Sequence, residues 1–244
     1  MTNPAAAAGS PPASKSLPAR FIGAFTSPRD MFQGVAAAPK ILGMLATTTV
    51  IVALFTALPL TTPAGRQAAI DKQVAQMQSF GFQVNDDLYQ RLEKGADRMP
   101  YTTGISVLIV SPIFAAIFAG ILFAIFNAAM GGEASFKQVM AVLVHAGPIS
   151  ALSAIFTGVI NYFRGAMDSV TTLGSLLPML PEHSFVANLL GAIDVFLIWY
   201  ILVLSIGLAV LYRRRTQPIA MSLLSVYAVI AIVIAVIKSR AGGA

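Results

Sequence analysis

The sequence predicts an all-α fold: a polytopic membrane protein with five transmembrane helices, an amphipathic pre-membrane helix and an extracytoplasmic helical hairpin. Three observations predict it. Of 244 residues, 57% are apolar and 11% charged, against about 25% charged in a soluble chain. Mean hydropathy is +0.77. Five apolar stretches, 41–60, 105–130, 138–163, 187–212 and 218–237, contain no Lys or Arg, and only the fourth holds an acid, Asp194. Each reaches the roughly 20 residues that cross a hydrocarbon core of about 30 Å. In lipid the backbone must satisfy its own polar groups, so these stretches are helices. The composition excludes a soluble enzyme, a disordered chain and a nucleic-acid binder. The net charge of +6 comes from dispersed basic residues, as suits loops beside anionic lipid. The chain has no cysteine, hence no disulfide, thiolate metal site or Cys nucleophile.

Residues 1–19 are rich in Pro, Ala and Ser and read as a disordered tail, without the apolar region of a secretory signal. The membrane domain is expected over 20–244. Ser27-Pro28-Arg29-Asp30 is a helix start, with Ser27 as N-cap, Pro28 at the first helical position and Asp30 near the exposed amides. Met31, Phe32 and Val35 share one face, so 28–38 reads as a helix on the membrane surface or, more plainly, as a juxtamembrane linker. Between the first two spans lies the helical loop 61–104. There Ile70, Val74 and Met77 fall on one face of a helix over 64–79. Asn85 can cap a second helix over 86–96, with Leu88 and Leu92 on one side. The resulting hairpin either rests on the bundle's own ends or serves as a docking platform.

Five spans place the termini on opposite sides. With the N-terminus inside, Lys and Arg tie at eight per side. The outer loop 61–104, however, balances its basic residues with acids, whereas Arg213, Arg214 and Arg215 form a tight uncompensated cluster in a short loop. The positive-inside rule weights such a cluster most. The orientation is therefore N-terminus cytoplasmic and C-terminus outside, in the cell (inner) membrane. Arg213–Arg215 also suit lipid headgroups, at about 1 kcal/mol each.

Asp194 is expected about 10 Å down the fourth helix, too deep for its short side chain to snorkel, and so facing the bundle. On the third helix Ser153, Thr157, Asn161 and Arg164 form one polar stripe. In an antiparallel pairing that stripe faces Asp194, with Asn161 or Thr157 donating and Arg164 reaching down. Such a site could take a proton, ion or lipid headgroup. The plainer reading is an interhelical hydrogen bond that fixes register. His145 lies near the inner end of the third span, more than about 10 Å from Asp194 by helix rise, which argues against a His–Asp relay. Pro148 should kink that helix. The one other histidine, His183, is in an outer loop, so no metal site, cofactor or catalytic residue is expected. Ala115/Ala119 and Ala116/Gly120 are small-xxx-small pairs that suit close internal packing or homo-oligomerisation.

Three segments together resemble the Yip-one family, integral membrane proteins with a Yip domain. They are Ser27-Pro28 followed by Phe32 and Pro39; the Gly131-to-Gln138 turn leading into His145-Ala-Gly-Pro148; and Asp194-Val-Phe196-Leu-Ile-Trp199 followed by Leu204 and Gly207. The last is the most specific, and the likeness covers about 20–237. The resemblance implies a cytosolic N-terminus and five helices. Eukaryotic members act in vesicle traffic with Rab-type GTPases, and some bacterial members accompany export or efflux ABC systems. The long 61–104 insertion departs from compact members. The Ala-rich composition and short tails suit the bacterial type. The expected role is non-catalytic: an accessory or scaffolding subunit in the lipid bilayer beside an ABC-type exporter or another membrane protein. The alternative is a small transporter or channel using Asp194.

Overall fold

The computed structural model describes residues 16–241 apart from 80, 178, 182 and 183. His183 and residues 1–15 of the expected tail lie outside them. The described residues are helical throughout, apart from turns and one isolated bridge between Thr172 and Asp194. In order the helices are α1 (Leu17–Thr26), α2 (Pro28–Ala37), α3 (Leu42–Ala57), α4 (Pro63–Ser79), α5 (Asp86–Gly95), α6 (Met99–Phe123), α7 (Phe136–Ala146), α8 (Pro148–Arg164), α9 (Phe185–Ala192), α10 (Val195–Leu211) and α11 (Thr216–Ala241).

Among the described residues three helical runs are long and apolar enough to cross a membrane: Asp86–Ala128, Phe136–Arg164 and Thr216–Arg240. The first joins α5 to α6 through a tight turn at Ala96–Arg98 and continues through a π-helical turn at Ala124–Ala129. The second is α7 and α8 in line, hinged at Gly147-Pro148. Pro148 lacks an amide hydrogen, and Gly147 N–H turns to Val144 O at 3.1 Å, three residues back rather than four. Two shorter apolar helices, α3 and α10, complete the bundle.

Three expectations for the chain need correction. The fourth apolar stretch is not one helix from 187 to 212. It breaks at Ile193-Asp194, which hold extended backbone between α9 and α10. The tail does not extend to 19, because residues 17–19 already belong to α1, a helix that composition alone did not reveal. Finally, α2 does not lay its apolar face on lipid. Met31, Phe32 and Val35 are buried at 0–1% exposure, covered by α7 and α10. Ser27 stands at the N-cap of α2, but its hydroxyl makes no capping bond; Pro28 at the first position and Asp30 in the first turn carry the start.

The core lies where α2, α7 and α10 meet, around Phe32, Val142, Leu204 and Leu208. α1 and α2 form a short hairpin that docks there. Gln138 Nε2 donates to Ala36 O at 3.1 Å, tying the end of α2 to the start of α7. α7 is itself started by a full capping box between Ser135 and Gln138. Close approach depends on two glycines. A Cβ on Gly207 would stand 2.6 Å from Val142 and 2.8 Å from the Phe32 ring. A Cβ on Gly158 would stand 2.2 Å from the carbonyl oxygen of Phe55, so α3 and α8 approach backbone to backbone. Of the small-residue pairs on α6, Ala119 is buried and Ala115 packs on the core, whereas Ala116 is exposed.

Gly207→Ala and Gly158→Ala should each lower stability by about 1–3 kcal/mol through overpacking. Gly34→Ala, where nothing lies within 4 Å, should be neutral or slightly stabilising. Thermal melts of the detergent-solubilised variants check the contrast.

Candidate functional site

A helix broken away from water exposes amides and carbonyls that need partners. Here the backbone groups of Ile193 and Asp194 themselves are all tied. Asp194 is the N-cap of α10, its Oδ1 accepting from Leu197 N–H at 2.9 Å. Its Oδ2 accepts from the Thr171 hydroxyl. The backbone of 171–173 pairs with the break on both sides: Leu173 N–H donates to Ile193 O at 2.9 Å and Val195 N–H to Thr171 O at 3.1 Å. Tyr227, on α11, closes the remainder. Its hydroxyl accepts from Asp194 N–H and donates to Ala192 O, both at 2.8 Å. Asp194 therefore starts a helix instead of lying seven residues inside one, as an Asp at a first turn suits its side chain.

The polar stripe of α8 lies across a cavity from this junction. Ser153, Thr157, Asn161, Thr171 and Asp194 line a space of roughly 460 Å³, with Phe55 and Phe196 as apolar wall. The Phe156 and Phe196 rings stand 6.0 Å apart, placing that turn of α8 level with the start of α10. Direct donation to Asp194 comes from Thr171, not from Thr157 or Asn161. Asn161 Nδ2 donates instead to Asp168 O at 3.0 Å, and its Oδ1 is buried without a partner. Arg164 does not reach Asp194 either; it pairs with Asp168 at 3.2 Å, four residues on. The geometric reason is the loop after α8. It turns at Gly165, φ +59°, folds back over the helix end and inserts 168–172 between the stripe and the junction.

A second buried polar contact lies nearer the core. His145 has no exposed surface. Its Nε2 stands 3.0 Å from Arg20 Nη1, and its Nδ1 2.7 Å from Ala141 O. A guanidinium only donates, so Nε2 must accept, and the ring hydrogen sits on Nδ1 and goes to Ala141 O. The ring is neutral and locked, engaged with Arg20 and not with Asp194.

The remaining signature residues are packing residues. Phe32 sits against Gly207, and Pro148 makes the α7–α8 hinge. Trp199 stacks between Phe25, at 5.8 Å edge-on, and Phe196, at 6.2 Å. Arg213, Arg214 and Arg215 are exposed at the α10–α11 turn. Arg213 takes φ +52°, and Arg214 N–H reaches back to Ala209 O at 2.9 Å, which closes the end of α10. Beside it Tyr212 hydroxyl donates to Asn127 Oδ1 at 2.8 Å and its ring stacks on Phe126. Among the described residues no group of three or more His, Cys, Asp or Glu could hold a metal ion.

Three partners escaped the sequence. Thr171 lies in a loop whose path only the fold sets, and Tyr227 in an apolar stretch with no polar periodicity. Arg20 reads as an ordinary juxtamembrane charge. Its one available signal was the apolar run Phe21–Phe25 that follows it.

Asp194→Ala should cost about 0.5–2 kcal/mol by loss of the cap, and Asp194→Asn less, because an amide oxygen still caps. Arg20→Met and His145→Phe should show a coupling of about 0.5–3 kcal/mol in a double-mutant cycle. Both are read from thermal melts in one detergent.

Neither a curated protein nor a solved structure matches this chain. The Yip1 domain matches it over residues 22–237, from within α1, just after Arg20, to near the end of α11 and therefore across the helix break, the cavity and His145. Over nearly its whole length, the chain belongs to the Yip1 domain family of integral membrane proteins.

Proposed function

We propose that this protein is a non-catalytic, five-span membrane protein that acts as an accessory or scaffolding subunit of a membrane transport or export system. One observation carries the non-catalytic part. The polar groups expected inside the bundle, Asp194 and His145, are bound to the chain's own backbone and side chains at the points that hold the helices together. His145 has no exposed surface, and the Asp194 carboxylate, though it lines the cavity, is held by Leu197 N–H and the Thr171 hydroxyl. The accessory part is supported by the apolar faces left outward. α6 exposes Ile109, Ile113, Phe114 and Ile117, and α11 exposes Val226, Val229, Ile230 and Val233, surfaces for lipid or for a neighbouring helix.

In this reading the spans are α3 with the tight turn Pro59–Thr61 that follows it, α6, α7–α8, α9–α10 and α11. The exposed Arg213–Arg215 turn lies on the cytoplasmic side, by the positive-inside rule, which puts the N-terminus inside and the C-terminus outside in a bacterial inner membrane. Affinity purification of the solubilised protein with mass spectrometry should recover an ABC-type exporter or another multi-pass protein. A monomer without any membrane partner overturns the accessory role.

The broken helix beside a cavity favours one second reading, a small transporter or channel built on Asp194, since discontinuous helices line substrate sites in transporters. It expects Asp194→Asn to abolish a solute flux in proteoliposomes while the melting temperature holds. Loss of melting temperature without any wild-type flux returns Asp194 to a structural role.

A further inference from the structure

We propose that the groove between α10 and α11 binds one anionic phospholipid, with an acyl chain along the groove and the phosphate at Lys238. The first observation is the shape. α6 packs on α3 and α7, while α11 packs on α9 and α10. Between Phe118 of α6 and α11 a space of about 640 Å³ is left, walled by Leu197, Ile201 and Leu204 of α10 and by Leu223, Ile230 and Ile234 of α11. From Leu223 to Ile234 the axis of α11 rises about 16 Å. One leaflet of a hydrocarbon core of about 30 Å is about 15 Å deep, so the apolar length of the groove matches one acyl chain laid alongside α11.

The second observation is where the polarity lies. The two tyrosine hydroxyls of the lining are engaged elsewhere: Tyr227 bonds Asp194 N–H and Ala192 O, and Tyr200 points to Leu143 O at 3.5 Å. They present rings to the groove. Lys238 is the one charged residue on the lining, a single turn beyond Ile234. Arg240, exposed two residues further on, adds to the same positive end. Among the described residues no acid lines the groove and none pairs with Lys238. A lysine so placed lays its stem on apolar surface and carries its ammonium to headgroup level. An apolar slot with a cation past one end fits an amphiphile with a negative head. A zwitterionic headgroup brings a second cation to an end that offers it no carboxylate. A neighbouring helix could cover the slot, yet it would need an acid at that level to match Lys238, whereas a phospholipid carries its phosphate there. The site depends on neither an accessory role nor transport.

Native mass spectrometry of protein released from nanodiscs of equal phosphatidylglycerol and phosphatidylcholine should show phosphatidylglycerol retained. Val226 lines the groove and is 58% exposed, so Val226→Trp fills the slot without crowding the core and should lose the retained lipid. Val229→Trp, equally exposed but outside the lining, should keep it. Lys238→Gln should narrow the preference for phosphatidylglycerol about fivefold, as expected for one basic residue at an anionic surface, and decides the matter if Val226→Trp does not fold. The proposal is overturned if the wild type retains phosphatidylcholine as well as phosphatidylglycerol, if it leaves the nanodisc without lipid or as a lipid-free dimer, if Val226→Trp retains lipid as the wild type does, if Val229→Trp loses it equally, or if Lys238→Gln keeps the full preference.

Discussion

The structure depends on one constraint: a helix interrupted inside an apolar bundle must find new partners for the amides and carbonyls at the break. The break at Ile193-Asp194 meets it with three different elements. The loop over 171–173 supplies a strand-like edge, α11 supplies Tyr227, and Asp194 supplies its own cap. The same bonds that repair the break also hold α9, α11 and the loop after α8 to the start of α10. The interruption thus works as a joint between otherwise separate parts, and its carboxylate is a structural atom before it is anything else.

Elsewhere the bundle is held by shape. Apolar side chains gain little from one another over lipid, so helices associate by close contact and by a few polar bonds. Gly207 and Gly158 provide the contact, letting Phe32 lie on α10 and Phe55 on α8. Arg20 and His145 provide a polar bond in the middle of the packing. Cost and gain are balanced at this bond. Arg20 Nε remains buried without a partner, while the guanidinium fixes the histidine's tautomer and anchors α1.

Much of this was legible in the sequence and some was not. The all-helical class, the apolar stretches and the Yip relationship follow from composition, run length and local signatures, which are properties of neighbouring residues. The hinge at Pro148 is equally local, since a missing amide hydrogen is visible in the sequence. The position of Asp194 was legible, but its role was not. Nothing in Gly191-Ala-Ile-Asp194 marks a break, because the residues that make the break tolerable are Thr171 and Tyr227, 23 and 33 residues away. For the same reason the stripe Ser153, Thr157, Asn161 was found as a helix face, while the loop that takes up Asn161 Nδ2 and Arg164 was not. The amphipathic face of α2 was read correctly and its cover wrongly, since an apolar stripe does not say whether lipid or protein will lie against it.

The α1–α2 hairpin has a consequence for how the molecule is made. It leaves the ribosome well before most of the surfaces it docks on: Arg20 precedes His145 by 125 residues, and Phe32 precedes Gly207 by more. While the later helices are still being inserted, Phe32 lacks its seat on Gly207 and Val142 and Arg20 lacks its acceptor, so the membrane interface is their natural holding place. Final assembly is then a withdrawal of this segment from the interface into a slot completed only when α10 arrives. Residues made before their partners are thus among the last to settle, and an interrupted or truncated translation product would display them.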